Sequence, residues 1–157
     1  MGRSHAWLPR GTELIEPRPM NWGRNLTLVG AMRAEGWLTL ATSWVPMTTL
    51  RFAAWVRRHL LRVLRPGDIV IMDNLAAHKS RRVQDLVASV GATVRYLPPY
   101  SYDFNPIEHA WALIKQRLRR LAPRTSDALR AGAQRARRVV QPRHCRNWTA
   151  HAGYTLK

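Results

Sequence analysis

Cysteine is almost absent: the 157 residues hold one, Cys145. A single thiol closes no internal disulfide, so a disulfide-stapled secreted scaffold is excluded. Acidic residues are scarce as well, with 9 Asp and Glu against 26 Lys and Arg, a formal net charge of +17 and a pI near 11.7. That imbalance argues against a generic small-molecule enzyme and for a polyanionic partner, nucleic acid before any other. No apolar run approaches the roughly 18 residues that a membrane span needs. No apolar segment follows Met1-Gly2-Arg3-Ser4-His5, so a signal peptide is not supported. The expected compartment is cytoplasmic, nucleoid-associated, with no membrane. Internal repeats and low-complexity tracts are also missing. Hydrophobic residues are plentiful at 46%, enough for a core in a length that suits one ordinary domain.

Residues 1–25 are irregular by signal, because Pro9, Gly11, Pro17, Pro19 and Gly23 break any long helix; only Thr12–Ile15 reads as a short extended piece. Leu26–Ala31 and Trp37–Trp44 are rich in apolar and β-branched residues and are joined by Met32–Gly36, which predicts an antiparallel hairpin. Phe52, Val56, Leu60 and Leu64 recur at fours and predict an amphipathic helix over Thr48–Leu64, bracketed by Pro46 and Pro66. Asp68–Met72 reads as a buried, parallel-type strand. Ser80–Val90 is a second helix, stopped by Gly91, and Thr93–Leu97 a further strand ended by Pro98 and Pro99. Helices follow at Ile107–Leu121 and about Thr125–Val140, with Arg143–Lys157 as a tail. Strands alternating with helices imply an α/β layer fold with a partly parallel sheet.

Nine acids can be weighed one by one. Glu13 and Glu16 sit in the Pro-rich opening, Glu35 in the hairpin turn and Asp103 in a loop. Asp68 precedes a strand, and Asp85 and Asp127 read as solvent-facing or capping residues on helices. Asp73 closes the apolar run Ile69–Met72, which puts it at the carboxyl edge of a strand, where α/β sheets place ligand sites. The competing reading is a loop-turning Asp73-Asn74 pair. Glu108 sits in Asn105-Pro106-Ile107-Glu108. Asn at N-cap, Pro at the first helical position and Glu at the third make a capping box that needs no chemistry. Capping and metal ligation are compatible, since a carboxylate at a helix start is held rigidly.

Val70-Ile71-Met72-Asp73-Asn74-Leu75-Ala76-Ala77-His78 resembles the second-aspartate block of mariner-type and related bacterial insertion-sequence transposases. Leu97-Pro98-Pro99-Tyr100-Ser101-Tyr102-Asp103-Phe104-Asn105-Pro106-Ile107-Glu108 resembles the block that carries their final acid. The 34 residues between Asp73 and Glu108 match the spacing of that superfamily, and Cys145–Tyr154 resembles its close. The resemblance implies a DDE transposase catalytic domain with an RNase H-like, retroviral-integrase-like mixed sheet and flanking helices. It implies Asp73 and Glu108 as metal ligands in a site for two Mg²⁺ or Mn²⁺ ions, which activate water or a 3′-OH for in-line attack on a DNA phosphate by two-metal phosphoryl transfer. Hard oxygen donors suit those ions. His78 and Asn74 are accessory candidates beside Asp73, as is Asn105 beside Glu108. Lys115, seven residues after Glu108, lies two turns along the same helix face and is a DNA-contact candidate with Arg119 and Arg120. For each of these three a solvated surface charge is the competing reading. Arg135, Arg137 and Arg138 form a further basic run suited to backbone phosphates.

The family's first catalytic aspartate has no counterpart here, and Trp7–Gly11 resembles the segment just after the first strand in relatives. The expectation is therefore residues 1–157 as one catalytic-domain fragment (1–25 irregular, 26–140 core, 141–157 tail) lacking the first central strand. Such a chain is expected to be inactive alone, homo-oligomeric, and completed by an N-terminal chain from an upstream frame. The other reading is a non-catalytic DNA-binding or assembly protein, or a degenerate relic. An RNase H-like nuclease outside transposition fits the fold but leaves the match around Tyr100–Glu108 unexplained. Cys145 with His144 and His151 is a weak zinc set. Trp111 reads as core. Relatives often carry proline where Tyr102 stands.

Overall fold

The computed structural model describes Arg10 and residues 25–155; the short extended piece expected at Thr12–Ile15 lies outside them. Strands β1 (Thr27–Arg33) and β2 (Gly36–Ser43) form the expected antiparallel hairpin, in register from Thr27 opposite Ser43 to Arg33 opposite Gly36. Its turn is tighter than the sequence suggests, only Ala34-Glu35, with Gly36 at φ 137° closing it. A register irregularity between Ala31 and Met32 absorbs the difference.

Thr48 caps α1 (Thr49–Trp55), its hydroxyl accepting from the Arg51 amide. The helix runs on as one π turn over Val56–Leu60, where the Leu61 amide reaches the Val56 carbonyl at 3.0 Å. Regular helix thus stops short of the expected Leu64. After the Pro66-Gly67 turn come β3 (Ile69–Met72), α2 (Arg81–Ala88, capped by Ser80) and β4 (Thr93–Tyr96). Strands β3 and β4 are parallel, Ile69 opposite Thr93 and Met72 opposite Tyr96. The parallel pairing agrees with the sequence reading, but the burial does not. Only Met72 is fully buried and Ile69 is 63% exposed, because among the described residues β3 has a ladder partner on one side only.

A single-turn 3₁₀ segment at Tyr102–Phe104 leads into α3 (Pro106–Leu121). Helix α4 (Ser126–Ala136, capped by Thr125) follows, then a short 3₁₀ turn. Helix α5 (Pro142–His151) occupies what the sequence suggested was a tail.

The apolar residues form two clusters. The first gathers Phe52, Trp55, Val56 and Leu60 of the α1 region with Met72, Val83, Val87 and Ala92. The second gathers Ala110, Ile114 and Leu118 of α3 with Ala133, Ala136, Val140 and Cys145. The hairpin serves both. Val29 and Ala31 pack on the first cluster, while Leu28 and Met32 pack on the second, as the two-residue period of a strand requires. Arg33, at the end of β1, pairs with Asp68 and donates to the Val63 carbonyl at 3.2 Å. Asp68 also accepts from the Arg65 amide at 2.7 Å. The acid that in sequence merely precedes a strand therefore ties the hairpin to the start of β3.

Candidate active site

Because β3 and β4 are parallel, their carboxyl ends open on one edge, the usual ligand position of an open α/β sheet. Asp73 leaves β3 at that edge, and the Leu97 amide at the end of β4 donates to the Met72 carbonyl at 2.9 Å. The next residues fold over the edge and enclose a cavity of about 210 Å³, lined by Asp73, Asn74 and Leu75 on one side and by Leu97 through Tyr102 on the other.

Asp73 is held by one oxygen. Its Oδ1 accepts from His78 Nδ1 at 2.5 Å and from the Leu75 amide at 3.3 Å. The carboxylate and the imidazole are each about four-fifths buried, at 19% and 20% side-chain exposure. His78 is fixed in turn. Its ring packs on Phe52 with centroids 4.3 Å apart, and its carbonyl accepts from the Tyr96 hydroxyl at 2.9 Å. Among the described residues Asp73 Oδ2 has no partner. That is the arrangement of a carboxylate oriented by one oxygen and open to a ligand through the other.

Glu108 stands in the first turn of α3, exposed and away from the cavity lining. The expected capping box does not form. Asn105 occupies the N-cap position but makes no side-chain cap, and the Glu108 amide instead donates to the Asn105 carbonyl at 3.0 Å. Asn105 is the buried polar residue of this segment, at 9% exposure, so its side chain is taken into the fold rather than turned back onto the helix. Glu108 has no ion pair among the described residues. Its carboxylate is thus committed neither to capping nor to a cation.

The structure brings Asp73, Asn74 and His78 together at the sheet edge and places Glu108 beyond the loop, six positions after Tyr102. Among the described residues no three His, Cys, Asp or Glu side chains group closely enough to hold a metal ion. The donor chemistry of Asp73 Oδ2 and the Glu108 carboxylate, neither with a partner among the described residues, fits a hard divalent cation; the count of donors at one point does not complete a site.

Lys115, Arg119 and Arg120 are all exposed, and the core face of α3 is Ala110, Ile114 and Leu118. Helical spacing puts Glu108, Lys115 and Arg119 on one stripe about a third of a turn from that core, with Arg120 about a third of a turn farther round. None of the three cations has an acidic partner among the described residues. The sequence reading missed Tyr154, whose hydroxyl donates to the Phe104 carbonyl at 2.8 Å and anchors the acid-bearing loop from 50 residues away. Its only sequence signal is its place in the Gly153-Tyr154 ending. The zinc set dissolves: Cys145 is fully buried in the second cluster, His144 Nδ1 accepts from the Gln141 amide at 3.2 Å, and His144 stacks on Trp148. Trp111 packs beside Trp37 at 5.1 Å between centroids, in the core as expected.

The family of DDE superfamily endonucleases matches residues 1–130. Among solved structures, the fold is similar to the Mos1 transposase paired-end complex with left transposon end, with a TM-score of 0.58 and 18% identity, covering 99% of this chain and 52% of that one. It is similar also to the Mos1 Strand Transfer Complex, with a TM-score of 0.55 and 19% identity, covering 99% and 51%. The Mos1 mariner paired end complex with Mn gives a TM-score of 0.50 at 17% identity, covering 99% and 52%. The chain therefore spans about half the length of the Mos1 chains it matches. No curated protein matches it. No helix among the described residues is long and apolar enough to cross a membrane.

Proposed function

Because the chain belongs to the DDE superfamily endonuclease family, we propose that it is transposase catalytic-domain material whose Asp73 and Glu108 serve as two of the carboxylates for divalent-ion-dependent cleavage and joining of DNA strands. The observation that carries this reading is Asp73 itself, buried at the carboxyl edge of a parallel pair, oriented by His78 through one oxygen and open through the other. Mg²⁺ or Mn²⁺, when bound, supplies charge neutralisation at the attacking and leaving oxygens of an in-line displacement. The chain's own residues hold and orient. His78 fixes the rotamer of Asp73, Asn74 presents an amide to the same cavity, and Asn105 fixes the entry of the helix that carries Glu108. Lys115 and Arg119, on the Glu108 stripe, contact DNA phosphates, and Arg120 reaches them from the neighbouring face.

The site needs a further carboxylate. Of the described acids ahead of Asp73, Glu35 lies in the hairpin turn and Asp68 is paired with Arg33. On this proposal, cleavage needs a further carboxylate donor supplied alongside these residues, and the protein acts on DNA as a homo-oligomer. The test is strand cleavage of transposon-end DNA in Mg²⁺ or Mn²⁺, with and without an added N-terminal fragment. Activity is expected only with the fragment, and Asp73→Asn or Glu108→Gln each removes it. Cleavage by the chain alone, or reconstituted activity that survives both substitutions, overturns the assignment. A second reading, a non-catalytic DNA-binding or assembly protein, is favoured by the lack of a three-donor group among the described residues and by the net charge of +17. It predicts DNA binding with no cleavage under any reconstitution.

A further inference from the structure

We infer that His109 and His151 form a two-imidazole site for a borderline transition-metal ion, such as Zn²⁺ or Ni²⁺, that clasps α5 to the first turn of α3. The site is separate from Asp73 and Glu108 in its chemistry. Those carboxylates offer hard oxygens, which suit Mg²⁺ and Mn²⁺, whereas imidazole nitrogens suit zinc, nickel and copper.

Helices α3 and α5 pack on each other, and Trp148 of α5 is the centre of a ring cluster between them. His144, one turn earlier on α5, stacks on Trp148 with centroids 5.4 Å apart. His109 of α3 stacks on Trp148 at 5.8 Å, with the ring planes 20° apart. His151 then meets His109 at 6.0 Å and 70°. Three of the six histidines thus gather around one indole, but only two are free to share an ion. His144 is committed, because its Nδ1 accepts from the Gln141 amide at 3.2 Å. The rings of His109 and His151 have no hydrogen-bond partner among the described residues. Metal–nitrogen bonds of ~2 Å put two imidazole centres on one ion about 5 Å apart at the tetrahedral angle and ~6.4 Å apart at most. The observed 6.0 Å lies inside that span. His109 is half-buried and its plane is held by Trp148, while His151 is exposed. His151 is therefore the ring that turns, about a torsion that is broad for histidine. Its exposure also leaves room for waters to fill the remaining coordination positions. The helix ends oppose each other here, positive at the start of α3 and negative at the end of α5, so the donors decide. An ion held there fastens α5 beside Glu108. The Tyr154 hydroxyl, just after α5, already holds the Phe104 carbonyl ahead of α3, so the clasp grips the same junction from its other side.

The test titrates the full chain, stripped with EDTA and exchanged into excess Mg²⁺, with ZnCl₂ and NiCl₂ by calorimetry. One ion is expected to bind per chain despite the Mg²⁺, to raise Tm, and, as Ni²⁺, to quench tryptophan fluorescence. His109→Gln and His151→Gln each weaken binding by at least about ten-fold, the loss that even an outer-shell partner produces, and remove the gain in Tm. His144→Gln leaves the affinity unchanged. Trp148→Phe keeps the binding and loses most of the quench. His151→Cys supplies a thiolate and restores zinc binding; because residue 151 is exposed, this pair of variants decides the matter even if His109→Gln fails to fold. Absence of saturable binding above Mg²⁺, or unchanged affinity in His151→Gln, overturns the proposal. So does an equal loss in His144→Gln, an undiminished quench in Trp148→Phe, or no recovery in His151→Cys. Neither DNA binding nor cleavage is measured, so failure here leaves the DNA-processing reading intact, and failure of that reading leaves the clasp intact.

Discussion

His78 does more for Asp73 than a surface partner could, because both groups are about four-fifths buried and the ring is clamped between Phe52 and its own loop. A hydrogen bond to a charged acceptor in such a place is worth about 1.5–3 kcal/mol. His78→Ala is therefore expected to lower the unfolding free energy by roughly 2 kcal/mol, read from the urea midpoint at constant slope. His78→Gln can still donate to Oδ1 and is expected to recover part of it. If His78→Ala unfolds at the wild-type midpoint, the pair does not orient Asp73. At this scale the sequence was legible where local pattern and tertiary role coincide. Asp73 ends an apolar run, so its place at the strand edge could be read directly. Asn105 and Glu108 were misread as a capping box because that motif is local, whereas burial of Asn105 is decided by what packs around it. The left-handed backbone of Tyr100, at φ 60°, carried no sequence signal, since a tyrosine after Pro-Pro looks like any loop residue.

Elements were legible where their punctuation is strong. Thr48, Ser80 and Thr125 each cap a helix through a side-chain oxygen, and the hydrophobic stripes behind them set the buried faces. Helix α5 escaped notice because its apolar positions, Cys145 and Trp148, are sparse among basic and polar residues. Its start is marked by His144, whose Nδ1 accepts from the Gln141 amide, rather than by a Ser, Thr or Asp signal. That helix leads to Tyr154, whose hydroxyl bonds the Phe104 carbonyl and so ties the segment after α5 to the turn that launches α3. Burial pushes the Tyr154 phenol above its ordinary 10.0. The folded state thus holds this proton more tightly than the unfolded chain does. The associated stability is fully present below pH 10 and fades as pH rises through the higher folded value. Tyr154→Phe is expected to cost about 1 kcal/mol at pH 8 and, relative to wild type, progressively less above pH 10; paired urea titrations at pH 8 and 11 measure both. A second element-level outcome concerns the hairpin. A Cβ on Gly30 would stand 2.9 Å from the Thr39 carbonyl oxygen and 3.0 Å from the Trp37 ring. Because the first contact is backbone, Gly30→Ala is expected to destabilise by about 1–3 kcal/mol, seen as a lower thermal midpoint.

The whole molecule is two small cores joined by one hairpin, and the two candidate carboxylates belong to different cores. Asp73 is set by the first, through β3, Phe52 and His78; Glu108 is set by the second, through α3. Their relation therefore depends on the connections between the cores. These are the alternating faces of β1, the Arg33–Asp68 pair, the loop over the sheet edge, and the Tyr154 anchor. No local sequence pattern encodes such a relation, and Arg33 and Asp68 find each other across 35 positions. The same division shapes the electrostatics. With 26 Lys and Arg and 9 acidic residues and one of those cations, Arg33, in an ion pair among the described residues, most of the positive charge is left unneutralised. Binding to duplex DNA should weaken linearly on a log–log plot against salt, with a slope near −0.9 for each phosphate contacted. If the Glu108 stripe faces the DNA, Lys115→Gln with Arg119→Gln should make that slope shallower by about 2. Arg57→Gln with Arg58→Gln removes the same charge from the α1 region and should change it by much less. Equal changes from the two pairs would mean that DNA senses only the net charge, and α3 would then lose its place at the interface.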